Sequence, residues 1–152
     1  MKLANKISLT NTDALIPYAA NARTHSDAQV DKIAASIKEF GFNNPILIDQ
    51  DRGVIAGHGR LMASQKLGLE QVPTIELSHL SDAERRAYIL ADNRLALDAG
   101  WDEEVLALEL KRLEEEIDLS LLGFNDLELA TLLDSLKTEE GLTDEDAVPE
   151  TP

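Results

Sequence analysis

VIAGHGRLMASQKLG, residues 54–68, passes from a β-branched run through two glycines into a run with helical spacing. A strand that turns at glycine into a helix start presents unpaired backbone N–H groups in one direction, and the helix dipole adds partial positive charge there. An oxyanion such as phosphate is the natural guest of such an end. Gly57 and Gly59 would let the backbone approach that guest closely, and Arg60, in the first helical turn, could fork onto its oxygens. The same stretch could equally reverse the chain and nothing more, with His58 a surface or capping side chain.

Outward from this turn the pattern alternates between strands and helices. PILID and VIA, joined by DQDRG, predict a hairpin, and RLMASQKLG places Leu61, Ser64, Gln65 and Leu67 on a short helix stopping at Gly68. VPTIEL reads as a further strand, as does KISLTN near the amino terminus; LIPY is extended because Pro17 pushes Ile16 away from helical angles. In THSDAQVDKIAASIKEFGF, Val30, Ile33, Ile37 and Phe40 fall at helical spacing, with Ser26 as N-cap and Gly41 after the last turn.

Ser81 and Glu84 have capping-box spacing and open a helix through SDAERRAYILADNR. Ala99-Gly100-Trp101-Asp102 marks a stop and restart, after which Val105, Leu106, Leu110, Leu113 and Ile117 form one apolar stripe, and NDLELATLLDSL is a last short helix. Beyond Lys137 the apolar periodicity ends, and TEEGLTDEDAVPETP has the composition of an acidic disordered linker or tail leading into a further segment. The predicted organisation is therefore a domain over 1–100, acidic helices over 101–137 and a tail over 138–152, in the α+β class.

With 152 residues, 43% of them hydrophobic, one packed core is the expectation. The absence of cysteine excludes disulfides, thiolate nucleophiles and cysteine-based zinc sites. Residues 1–100 carry 11 basic and 12 acidic side chains, net −1, whereas residues 101–152 carry 3 and 17, net −14. Phosphate backbones attract proteins through lysine and arginine, so DNA contact is expected to be local or supplied by a partner. No apolar run approaches a membrane span and the amino terminus lacks a secretory pattern, so a cytoplasmic location without membrane partners is expected.

NPILIDQDRGVIAGHGRLMASQKLGLEQVPTIEL resembles the central segment of the ParB/sulfiredoxin-like domain, a small mixed sheet with packed helices in which a hairpin leads into a GxxR phosphate-binding turn, here Gly57, His58, Gly59 and Arg60. LIPYAANARTHSDAQVDKIAASIKEFGF resembles the family's first box, and ADNRLALDAGWD its third. The resemblance implies a nucleoside triphosphate, CTP or ATP, with magnesium: Asn21 and Arg23 near base or ribose, Gly57 to Arg60, Asn93 and Arg94 around the phosphates, and Asp92 with Asn93 as magnesium ligands. Sulfiredoxin chemistry is excluded, because His58 stands where that activity needs cysteine.

Asp92-Asn93-Arg94, then AGWD, then Gly123-Phe124 with Glu128-Leu129, is similar to ParB-like domains that precede phage and bacterial DNA amino-methyltransferases. No methyl-donor or Asp/Asn-Pro-Pro-Tyr motif is present, so these residues do not themselves methylate DNA, and no helix-turn-helix is visible after the first domain. The resulting expectation is a nucleotide-binding accessory domain of a DNA-associated assembly, either the amino-terminal module of a methyltransferase or a phage or plasmid ParB-like protein. The alternative is a phosphotransferase or nucleotide hydrolase in which Asp92 holds the metal and His58 is the base. A homodimer through the leucine-rich stripe is a further possibility. Asp92-Asn93 could instead cap or break its helix, Trp101 is expected to be a core anchor, and His25 and His79 ordinary surface residues.

Overall fold

Short apolar runs on either side of the DQDRG turn pair antiparallel as β2 (Ile46–Ile48) and β3 (Val54–Ala56), with a register shift between Leu47 and Ile48. Asp49 closes the connection: its Oδ1 accepts the N–H groups of Asp51 and Gly53, each at 2.8 Å, and its Oδ2 accepts from Arg85 Nη1 at 3.0 Å. An aspartate that bonds the backbone two residues on is a built-in turn former. This computed structural model describes the backbone of residues 1–147 and the side chains of residues 1–137.

β1 (Ser8–Asn11) and β4 (Gln71–Glu76) complete a sheet of order β1-β4-β2-β3, in which β4 runs antiparallel to β1 and parallel to β2. The parallel pair requires a crossover, and α2 (His58–Leu67) supplies it on the way from β3 to β4. Leu61 of α2 sits in a core with Leu15, Ile46, Ile48, Val54 and Val72. Burial of each such aliphatic side chain contributes about 1.5–3 kcal/mol, so Leu61 fixes which face of α2 meets the sheet.

α1 (Asp27–Phe40) begins as its sequence predicts, with Ser26 Oγ accepting from the Gln29 N–H at 3.1 Å. It packs on α2 through Val30, Ala34 and Ala63, flanked by Ile33, Ile37 and Leu67. Phe40, expected on that stripe, is instead exposed. α3 (Asp82–Asp98) opens with the full capping box of Ser81 and Glu84. It neither caps nor breaks at Asp92-Asn93: the helix is already nucleated, and Leu95, Ala96 and Leu97 are good helix formers that carry it on.

The chain divides into two compact units, residues 1–99 and a second beginning at Gly100. In the second, Asp102 caps α4 (Glu103–Leu113) by accepting from the Val105 N–H at 3.1 Å. A reciprocal pair, Asn125 Oδ1 with the Glu128 N–H at 2.7 Å and the Asn125 N–H with Glu128 Oε1 at 3.0 Å, opens α5 (Asp126–Ala147). The expected α4 stripe is corrected: Ala107 and Leu110 are its buried positions, Val105 is exposed, and Ile117 lies past the helix end.

The α5 backbone stays helical past Lys137 to Ala147, where composition predicted a tail. Glu139, Glu140, Leu142 and Ala147 have high intrinsic helix preference, so a nucleated helix propagates without an apolar stripe. Residues 148–152 of the expected tail lie outside the described residues. Among the described residues no helix is long and apolar enough to cross a membrane.

Candidate functional site

The turn into α2 is built on Gly57, whose φ of 105° and ψ of 26° are left-handed. A Cβ there would lie 3.2 Å from Ile46 Cγ1 and 3.4 Å from Ile46 Cα, so both conformation and space call for glycine. The helical ladder starts with the Leu61 N–H on the Gly57 carbonyl at 2.9 Å. The N–H groups of His58, Gly59 and Arg60 thus precede the first i−4 acceptor and carry the helix's positive pole. Gly59 has a different reason from the one its sequence suggests: it is buried, and a Cβ would lie 2.8 Å from Ile33 Cδ1 and 3.1 Å from the His25 ring. Gly59 thus packs closely against α1 and the segment before it, where an added Cβ would make Ile33 Cδ1 and the His25 ring shift.

A cavity of about 250 Å³ opens at this helix start. Gly57, His58, Gly59 and Arg60 line it together with Asn21 and Arg23 from the first box and Asp92 and Asn93 from α3. Three stretches far apart in the chain therefore converge there. Arg94 does not join them: its side chain is 75% exposed and pairs with Asp98 at 3.4 Å. On α3 the lining positions are 92, 93 and 96, one helical face, and residue 94 is turned away from it. His25, expected to be an ordinary surface residue, also lines the cavity, with its Nδ1 3.0 Å from Gln29 Oε1. The i, i+4 spacing of His25 and Gln29 across the start of α1 was the available signal.

Arg60 is the unusual group. Its Nη2 donates to the Pro45 carbonyl at 3.4 Å, while its buried Nε has no partner. Among the described residues no carboxylate lies within ion-pair distance of it; Asp92 acts on it only through space. Burial pulls the guanidinium below its ordinary pKa, and the Asp92 charge partly opposes that. Arg23 donates its N–H to Asn21 Oδ1 at 3.3 Å and its Nη1 to Asn93 Oδ1 at 3.5 Å, a long contact that ties the first box to the third.

His58 accepts the Tyr18 N–H on Nε2 at 3.0 Å, which leaves Nδ1 as the protonated nitrogen of a neutral ring. Burial, and secondarily the nearby His25, lower its pKa. The ring is thus a brace between Tyr18 and the turn, and the lone pair a base would need is already used. Among the described residues no cluster of three or more His, Cys, Asp or Glu side chains could hold a metal. Asp92 with Asn93 offers one carboxylate and one amide oxygen, the sparse hard-oxygen set that suits magnesium when phosphate and water complete the shell, and not an all-protein cage.

Residues 2–94 match the ParB N-terminal domain and residues 104–152 the ParB-methyltransferase HTH domain. The second match overturns the expectation that no helix-turn-helix follows the first domain: the acidic sequence of α4 and α5 lacks the cations by which such a unit is usually noticed. The ParB-like nuclease domain-containing protein YnaK of Escherichia coli (strain K12) is 49% identical over 81 residues, covering 53% of this chain and 93% of the relative. A nucleoid occlusion protein of Bacillus cytotoxicus is 32% identical over 137 residues, but the match spans 84% of this chain and only 47% of that protein.

Among solved structures, the C-terminally truncated chromosome-partitioning protein ParB from Caulobacter crescentus complexed with CTP-gamma-S superposes with a TM-score of 0.73 at 20% identity, covering 95% of this chain and 88% of that one. A Pnob8-like ParB-N domain gives a TM-score of 0.51 at 19% identity over 88% of this chain and 62% of that one. The α+β fold, the glycine-led turn at Gly57 to Arg60 and the match over residues 2–94 lead to one conclusion: the chain belongs to the ParB N-terminal domain family, with the ParB/sulfiredoxin-like fold.

Proposed function

We propose that residues 2–94 bind a nucleoside triphosphate and that the chain serves as the nucleotide-responsive accessory part of a DNA-associated assembly. The observation that carries this reading is Arg60, a partly buried guanidinium with a buried, unpartnered Nε beside the unpaired N–H groups of a glycine-led helix start. A buried donor left without a partner costs about 1–3 kcal/mol, a cost that an arriving oxyanion would offset. The cavity of about 250 Å³ is smaller than the ~300–1,000 Å³ of sites that enclose a whole ligand, so it suits the phosphate end with the base left partly outside.

Asn21 and Arg23 then face the ribose or base, and Asp92 with Asn93 would hold magnesium against the phosphates, where the ion neutralises their charge. The ParB neighbour complexed with CTP-gamma-S favours CTP over ATP. The ParB-methyltransferase match over residues 104–152 supports an assembly in which a DNA methyltransferase participates. Hydrolysis forms no part of the proposal, since His58 is engaged with Tyr18.

Isothermal titration with CTP, ATP and GTP, each with and without magnesium, tests it. CTP with magnesium should bind saturably, and Arg60→Met should weaken binding by about 1.5–3 kcal/mol, roughly 10- to 150-fold. Absence of heat with all three nucleotides overturns the reading.

A further inference from the structure

The helix-turn-helix unit has the wrong charge for DNA. Residues 101–152 carry 17 acidic and 3 basic side chains. Each cation is engaged within its own element or just beyond it: Lys111 with Glu114 at 2.6 Å, Arg112 with Glu109 at 3.6 Å and Lys137 with Asp134 at 3.9 Å. The amino-terminal end of α5 holds Asp126 and Glu128, and the Glu128 carboxylate already accepts from the Asn125 N–H at 3.0 Å. Carboxylates at the positive pole stabilise the helix and repel phosphate.

The same unit leaves an apolar cavity of about 380 Å³, lined by Trp101, Leu106, Phe124, Leu127 and Leu132. Trp101, expected to be a core anchor, is 70% exposed, and Leu127 is 76% exposed. The Trp101 ring packs on Phe124, at 6.0 Å between centroids and a 49° tilt. The exposed carboxylates of Glu103 and Glu128 line the same cavity. Large apolar side chains gathered in water mark a contact site, and the two carboxylates beside them define the sign of what covers it.

We infer that this cavity docks a basic amphipathic helix of a partner protein, an apolar side chain entering beside Trp101 and Leu127 and lysine or arginine flanks meeting Glu103 and Glu128. The unit then acts as an adaptor, not as a reader of DNA, and any DNA contact comes through the partner. The inference stands independently of nucleotide binding by the first unit.

Trp101 is the chain's one tryptophan, so its fluorescence reports this cavity in the full chain. The probe is a synthetic amphipathic peptide with leucine and phenylalanine on one face and lysine and arginine on the other. It should give a saturable blue shift, weakened about tenfold by Leu127→Asp and by about as much when salt is raised from low to near-molar concentration. The peptide with its apolar face changed to serine, or its cations to glutamate, should give no shift. Circular dichroism of Leu127→Asp checks that the helices persist. The inference is overturned if the basic amphipathic peptide gives no saturable shift, if the serine version binds equally well, if duplex DNA produces the shift, or if raising the chain's own concentration does so.

Discussion

Gly57 and Gly68 separate the demands of conformation from those of space. Both have positive φ, 105° and 69°. Gly68 lies in the ordinary left-handed well, and a Cβ there would meet nothing within 4 Å. Gly68→Ala should therefore cost only the backbone penalty, about 1 kcal/mol. Gly57 lies outside that well for an L-residue, and its Cβ would press on Ile46, a side chain with no exposure and no room to yield.

Adding about 1–2 kcal/mol of overpacking to about 1–2 kcal/mol of backbone strain gives about 2–4 kcal/mol for Gly57→Ala. At about 4–8 °C per kcal/mol for a domain of this size, Gly68→Ala should lower Tm by about 4–8 °C and Gly57→Ala by about 8–30 °C. Thermal and urea melts followed by circular dichroism read both. Because the same Cβ would lie 3.4 Å from Arg60 Nη2, Gly57→Ala should also lose nucleotide binding at temperatures where it remains folded, whereas Gly68→Ala should keep it. Equal destabilisation by the two substitutions would refute the assignment of Gly57 to a crowded left-handed turn.

Asp49→Ala removes the acceptor of two backbone N–H groups and of Arg85, and should destabilise by about 1–3 kcal/mol in urea titration, with Asp49→Asn milder. Burial holds His58 below its ordinary pKa, so the unfolded chain takes up that proton first: the stability tied to it is intact above about pH 6.5 and is lost as pH falls toward the lowered folded value. Urea midpoints at about pH 7.5 and about pH 5.5 should thus differ more for the natural chain than for His58→Asn. Ser81→Ala breaks the α3 capping box and should cost about 1 kcal/mol, against a few tenths for Ser81→Gly, by the same measurement.

Local chemistry was legible in the sequence because its causes are local. Ser26, Ser81 and Gly68 mark helix ends through bonds spanning a few residues, and Asp49 and Gly53 make a turn wherever the flanking runs can pair. The glycine-led start of α2 could be named for the same reason, whereas the boxes around Asn21 and Asp92 were named by resemblance to the ParB/sulfiredoxin-like domain. Tertiary packing alone decided the rest. The bridge of Ile16 with Gly53 and the bonds of Tyr18 to His58 and of Arg23 to Asn93 hold the first box, the turn and α3 at one cavity, and helix rotation admits Asp92 and Asn93 while turning Arg94 to solvent.

Gly59 is crowded by Ile33 of α1 and by His25 just before it, and the His58 Nε2 lone pair is occupied because Tyr18 donates to it across 40 positions of sequence. Periodicity identifies an apolar stripe but not what covers it, which is why Trp101 read as a core anchor and stands in water. Sequence constrains torsions and partners within a turn or two; which distant surfaces meet, and which charges are thereby desolvated, depends on the burial of the whole chain.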